Sequence, residues 1–389
     1  MSTPWPWMLS LLLAAAPGNP CSDFLLNSTA NVISARTMDF QLDLQTAVEL
    51  VAVGTPYVEQ SGHVWSNRYG FLSFNVHMLP FATDGMNTEG THPSCSCPPT
   101  FKILGLSAAW LYMLGTVYPD PDPSDARPIV SNLCSFIVGT PPSCAPLIVS
   151  MAGNYASVAQ VKAGLATIQT TGIDLSRIPL TFKAGLGPLR QLPLHLAVHD
   201  ASGASLVVEF LDGEMHVMDN PVGVLANAPP LGDQLENLKN LHAIPLGMDS
   251  TDRFARLALY NGIANQDTFD VETSFTAASV AQGGVARALH LINTVVQPIV
   301  SPSFATEWLV VRDHHRRHVF IQSTENSVLR RLDLNALDFS QGATRKTWYI
   351  ATRSSWYVDA DALDDDDITT VPWMRAASDV QFREKIASG

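Results

Sequence analysis

The sequence predicts an α+β fold in which helices cover antiparallel sheets. Three observations carry that expectation. Alternating apolar and polar segments recur in pairs joined by tight turns, as at 194–199 and 205–210 across the turn 200–203. Stretches with helical spacing stand between groups of strands and do not follow each strand, so the strict alternation of a parallel α/β domain is missing. With 46% apolar and 15% charged residues among 389, the chain can bury a large core.

At the N-terminus, residues 8–16 form an apolar run too short to span a bilayer and placed where the core of a signal peptide sits. No Lys or Arg precedes it, and Pro17 follows its small-residue pattern, Ala14-x-Ala16. The expectation is a signal or pro-segment at 1–20, removed on maturation, and a secreted, periplasmic or lumenal product. Residues 21–389 then form a single domain. A net charge of −13 gives no basic face for nucleic acid or an anionic membrane. The acidic run at 359–367 lacks the Gly and closing Glu of a Ca²⁺ loop and reads as a solvated tail.

Taken in order, 24–26 and 32–36 read as two strands of a hairpin about the polar turn 27–31. The hairpin returns Arg36 and Asp39 toward Cys21. Strands follow at 51–54 and 69–76, then a turn-rich passage at 84–90 and an apolar strand from 105 to 113. Two segments fit neither period, 91–103 and 140–153; they are Pro- and Ser-rich and read as surface loops. Residues 157–165 are helical. Strands at 194–199, 205–210 and 215–218 carry His195 and His199 among apolar neighbours, as structural histidines. Helical patterns at 235–238, 253–260 and 278–296 precede two last strands, 307–312 and 318–322, with His314, His315, Arg316 and Arg317 as their polar turn.

The five cysteines, Cys21, Cys95, Cys97, Cys134 and Cys144, are an odd number for a secreted chain, which leaves one over if the others pair. Cys95 and Cys97 are too close for a zinc pair and no His pair follows at finger spacing, so no metal site is expected. Cys21, directly behind the leader, is the candidate for the unpaired thiol. Once residues 1–20 are gone it carries a thiol and a free α-amine together. An α-amine has a reference pKa of roughly 8, close enough to working pH to act as base, so the nucleophile brings its own base. Asp39 can orient that amine and Arg36 can favour the thiolate.

Together with residues 84–90, 219–229 and Arg253-Phe254, the segments Cys21-Ser22-Asp23-Phe24 and Arg36-Thr37-Met38-Asp39-Phe40 resemble the choloylglycine hydrolase family. That family includes penicillin V acylases and conjugated bile salt hydrolases and belongs to the N-terminal nucleophile hydrolases. The resemblance runs from Cys21 to about Ile350. It implies a four-layer αββα sandwich of two antiparallel sheets between helix layers, and hydrolysis of a small N-acyl amide without a cofactor. It also implies Asn227 and Tyr112 as oxyanion donors, Arg253 in the surrounding charge network, and a dimer or tetramer. Tyr at 112 matches the penicillin V acylase branch, whereas many bile salt hydrolases have Asn there. The segments 91–103 and 140–153 look like insertions into the family pattern. Two rival readings stand beside this one. The first is an amidase of the same superfamily acting on N-acyl homoserine lactones, N-acylethanolamines or ceramide-like lipids; the second is an inactive secreted binding protein.

Overall fold

A computed structural model describes residues 21–28, 30–40, 43–58, 64–75, 82–88, 105–131, 147–172, 191–265, 280–298 and 305–351. The leader, the segment 91–103, the acidic run 359–367 and every cysteine but Cys21 lie outside the described residues.

The strands, in chain order, are β1 (Ser22–Asn27), β2 (Val32–Phe40), β3 (Ala47–Val51), β4 (Pro56–Val58), β5 (Val64–Ser66) and β6 (Phe71–Asn75). Next come β7 (Ala82–Asn87), β8 (Leu106–Tyr112), β9 (Ile129–Ser131), β10 (Gln169–Thr171), β11 (Leu194–Asp200) and β12 (Ser205–Leu211). The last are β13 (Glu214–Asp219), β14 (Val224–Ala226), β15 (Ala305–Asp313), β16 (His318–Ser323), β17 (Arg330–Asp333) and β18 (Thr347–Tyr349). The helices are α1 (Leu147–Asn154), α2 (Val158–Leu165), α3 (Leu231–Lys239), α4 (Ser250–Ala264) and α5 (Val280–Asn293).

Two antiparallel sheets make the centre. One runs β14-β1-β2-β15-β16-β17 and the other β13-β12-β11-β8-β7-β6-β3-β18. Helices α4 and α5 pack on the first sheet, against β1, β14, β2 and β15. Helices α1 and α2 pack on the second, against β7, β8 and β11. The result is the expected αββα order of layers. Strands at the centre of such a stack are covered on both faces, so they lose the polar alternation of a one-sided sheet. Thus β2 is buried at every residue from Val32 to Asp39, including Ser34, Arg36, Thr37 and Asp39.

Helix starts are chemically marked. The Asp249 side chain accepts from Asp252 N at the start of α4, and Ser157 accepts from Gln160 N at the start of α2. On α4 the buried residues include Arg253, Phe254, Leu257, Ala258 and Asn261, a stripe at helical spacing that faces the sheet.

Three expectations change. The passage 84–90, read as turns because of Gly85 and Asn87, is strand through Asn87. Gly85 serves close approach here: a Cβ would stand 3.0 Å from the Leu72 carbonyl oxygen. The segment 140–153, read as loop, is helical from Leu147, and Asn87 Nδ2 donates to the carbonyls of Ala152 and Tyr155 to hold that helix on β7. His314, read as part of a polar turn, stands in that turn with its side chain fully buried; its Nδ1 donates to Gly105 O at 2.9 Å and its Nε2 accepts from Ser34 Oγ at 2.9 Å. His195 and His199 are structural as expected, paired inside the stack with Glu209 and Asp23.

Candidate active site

Cys21 stands one residue before β1. Because Ser22 pairs with Ala226 on β14 and with Thr37 on β2, Cys21 reaches the end of the sheet beside Asn227. It is a free thiol with 4% of its surface exposed. Its main-chain N–H donates to Asn227 Oδ1 at 2.6 Å, and its thiol donates to the main-chain oxygen of Asp39 at 3.8 Å.

Arg253, from the first turn of α4, ties this corner together. Its Nη1 donates to Cys21 O at 2.6 Å and to Ser22 Oγ at 2.5 Å, and its Nη2 donates to Asn227 Oδ1 at 2.9 Å. Nε donates to Met248 O at 3.0 Å. Residues 206 and 232 positions apart in sequence are thereby fixed to one another.

Asn227 is clamped at both ends. Its Nδ2 donates to Tyr112 O at 2.7 Å, and Gln234 Nε2, from α3, donates to its main-chain carbonyl. An amide nitrogen carries two N–H groups, and among the described residues the second has no acceptor, so it can point at developing negative charge.

Arg36 and Asp39 approach the thiol from opposite sides. They are three residues apart on β2, and side chains alternate along a strand. Arg36 projects between the sheets, where it donates to Thr83 O at 2.7 Å and Asp84 Oδ2 at 3.2 Å. It also donates to Trp110 O. Asp39 projects toward the helices, where Thr37 Oγ1 donates to it at 3.2 Å and Thr306 Oγ1 donates to its other oxygen.

Burial dominates the electrostatics of both groups at this corner. It pushes the Cys21 thiol above its ordinary value, against the opposing charges of Arg36 and Arg253. Burial also lifts Asp39 to about 7, against Arg253 and the hydroxyls of Thr306 and Thr37. In the uncut chain Cys21 is therefore held as a neutral thiol.

The structure thus brings Cys21, Arg36, Asp39, Asn227 and Arg253 together, and treats Tyr112 differently. Ala109 and Leu111 on β8 pack in the cluster that holds Cys21, while Trp110 and the Tyr112 ring pack in the cluster on the other face. Among the described residues the Tyr112 ring packs in that second cluster, away from the one that holds Cys21, and the contact Tyr112 makes with Asn227 is through its main-chain carbonyl. Asp39 is expected to orient the α-amine of the cut chain, a group the uncut chain does not carry. Among the described residues the Cys21 N–H goes to Asn227 and not to the Asp39 carboxylate. Reading from sequence missed Thr306 and Gln234, whose partners lie far along the chain or on a neighbouring loop. Thr37 was findable, as a hydroxyl two positions before Asp39 on the same strand face.

The sequence pattern described as "Linear amide C-N hydrolases, choloylglycine hydrolase family" matches residues 144–344, more than half of the chain. The chain belongs to the choloylglycine hydrolase family. Its relatives in that family include a bile salt hydrolase/transferase of Lactiplantibacillus plantarum, 25% identical over 67% of this chain and 74% of that protein. A penicillin V acylase of Pectobacterium atrosepticum is 22% identical over 86% of both. Among solved structures, penicillin V acylase from Agrobacterium tumefaciens superposes with a TM-score of 0.62 at 22% identity, covering 84% of this chain and 90% of that one. That likeness establishes the fold, with two antiparallel sheets between helices. As a member of the family the chain is an amide C–N hydrolase.

Proposed function

We propose that Cys21, exposed as the N-terminal residue by removal of residues 1–20, is the nucleophile of this hydrolase. The observation that carries the reading is the clamp at Cys21. Asn227 Oδ1 accepts from its nitrogen while Arg253 holds its carbonyl and Asn227 alike. An α-amine at that position keeps one N–H on Asn227 and turns its lone pair to the thiol proton.

The steps follow. The α-amine takes the thiol proton, and sulfur attacks the carbonyl carbon of the amide. The oxyanion receives the spare N–H of Asn227. Collapse passes the proton from the α-ammonium to the leaving amine and leaves a thioester on Cys21. Water, deprotonated by the same α-amine, then attacks the thioester, releasing the acid and restoring the thiol. Arg36 and Arg253 stabilise the thiolate, and Asp39 holds the Cys21 corner through its main-chain oxygen.

The substrate class is a small N-acyl amide with an apolar acyl part. Leu114 and Val117 are exposed on the loop leaving Tyr112, and Ile244 and Leu246 on the loop that enters α4; Leu246 is 89% exposed. Relatives named for penicillin V and for bile salts fit that class. The protein is secreted or lumenal in this reading, its leader being 1–20. Mass analysis of the isolated protein should find an N-terminus at Cys21, and Cys21→Ala should abolish hydrolysis of penicillin V or of a conjugated bile salt. Retention of residues 1–20 in an active preparation, or unchanged activity in Cys21→Ala, would remove the nucleophile.

A further inference from the structure

Arg312 is a fully buried cation that the steps above do not use. It lies on β15 opposite Ser34, and Arg36 lies two residues along β2 on the same face. Two cations at such diagonal positions repel unless an anion stands between them. Asp84, from β7 of the facing sheet, is that anion. The division of its oxygens is unequal. Arg312 engages both, Nε on Oδ1 at 3.1 Å and Nη2 on Oδ2. Arg36 engages Oδ2 alone, at 3.2 Å.

The carboxylate is thus committed to Arg312 in the planar two-point geometry that a guanidinium favours. The other N–H groups on Nη1 and Nη2 of Arg36 go to neutral acceptors, the carbonyls of Thr83 and Trp110 and the Met38 sulfur, and among the described residues its buried Nε has no partner. Its charge is left only partly answered, and among all nearby charges it is the one that most favours the Cys21 thiolate. The other ionisable groups around this cluster are accounted for. Asp23 is bonded to His199, and its second oxygen is 4.0 Å from Arg312 Nη1. His314, kept neutral by burial down to about 4, accepts from Ser34, while Asp39 and Arg253 act from the helix side.

We propose that Arg312 is a positioning residue for the reaction: by holding both oxygens of Asp84, it leaves the Arg36 cation available to Cys21. The inference rests on Cys21 as the nucleophile, and its test separates the two. The readout is the pH dependence of iodoacetamide alkylation at Cys21 in the purified protein, followed by the mass of the peptide that carries it. This reports the thiolate whether or not Cys21 is the nucleophile, which the activity of Cys21→Ala decides.

Arg312→Gln leaves Asp84 to Arg36 alone and should raise the alkylation midpoint by about half a pH unit, roughly a threefold loss of thiolate at fixed pH. Asp84→Asn removes the anion and should lower the midpoint by a similar amount. Arg312→Lys keeps the charge without the two-point geometry; it should shift the midpoint upward by less, and it supplies the measurement if the Gln variant does not fold. A role confined to packing would change the plateau rate through access and leave the midpoint in place. Shifts of opposite sign in the position 312 and position 84 variants support the proposal. An unmoved midpoint, as protonation of Asp84 on losing Arg312 would give, or shifts of one sign overturn it.

Discussion

On the inter-sheet face of β2, Arg36 is paired with Asp84, whose carboxylate it shares with Arg312. Three residues along, on the helix face, Asp39 is relieved differently, by burial that lifts it to about 7 and leaves it largely uncharged below that pH. One strand therefore buries ionisable groups by pairing on one side and by neutralisation on the other. The difference suits what lies between them. In the proposed reaction the Cys21 thiol becomes a thiolate, which a fixed cation favours, whereas a permanent anion equally close would oppose it.

Removing the central carboxylate tests the contrast most severely. Asp84→Ala leaves two guanidinium groups facing each other without an anion, and loss of one partner from a buried ionic cluster costs about 3–5 kcal/mol. Asp39→Asn, which imitates the neutral acid, should not destabilise at pH 7 and should gain on the order of a few kcal/mol, because the native Asp must be neutralised on folding from an unfolded chain in which it is ionised. Urea midpoints of the two variants read the comparison directly. Equal losses would show that Asp39 is held by pairing as well.

How much of this could be read along the chain depends on where each partner lies. The hairpin of β1 and β2 and the strands from Leu194 onward announce themselves through alternation and turn residues, and the corner of Cys21, Arg36 and Asp39 follows from that one hairpin. Asn227 and Arg253 carry no local mark of their role; they became visible only through resemblance, since Arg253 meets Cys21 across 232 positions. Gly85 and Asn87 misled because turn formers also serve where backbones pack closely, and helix α1 was hidden inside a Pro-rich passage. Tyr112 shows another limit. Alternation places Trp110 and Tyr112 on one face of β8 and Ala109 and Leu111 on the other, but which face meets the thiol is decided by the neighbouring sheet.

Asn227 sits at the junction of the two faces, bonded to Cys21, Arg253 and Tyr112 at once. Asn227→Ala removes the N–H that the proposed reaction gives to the oxyanion, and a lost donor of that kind costs about 10²–10³ in kcat, near 3 kcal/mol. KM should change far less. A loss confined to KM would assign Asn227 to substrate binding instead of the transition state.

The neutralised side also sets how stability depends on pH. Glu307 occupies the irregular position where β15 and β2 shift register beside Asp39; its carboxylate accepts from Leu44 N, and burial lifts it to about 8. Asp39 and Glu307 both have folded-state values above their ordinary ones, so the folded chain holds protons that the unfolded chain has already released. Their neutral forms favour the fold, and that contribution is lost as pH rises through about 7 and about 8. His314 has the reverse sign, since its folded value near 4 lies below its ordinary 6.5, and its penalty is confined to acid conditions. Between pH 6.5 and 8 the two acids dominate among the described groups with shifted values, and stability should fall by on the order of 2 kcal/mol, the larger part from Glu307. Glu307→Gln keeps an acceptor for Leu44 N and cannot ionise, so more than half of that slope should vanish in thermal melts across the interval. A slope unchanged in Glu307→Gln would mean that this carboxylate is ionised in the folded chain, and that the helix side of β2 manages its charge by pairing after all.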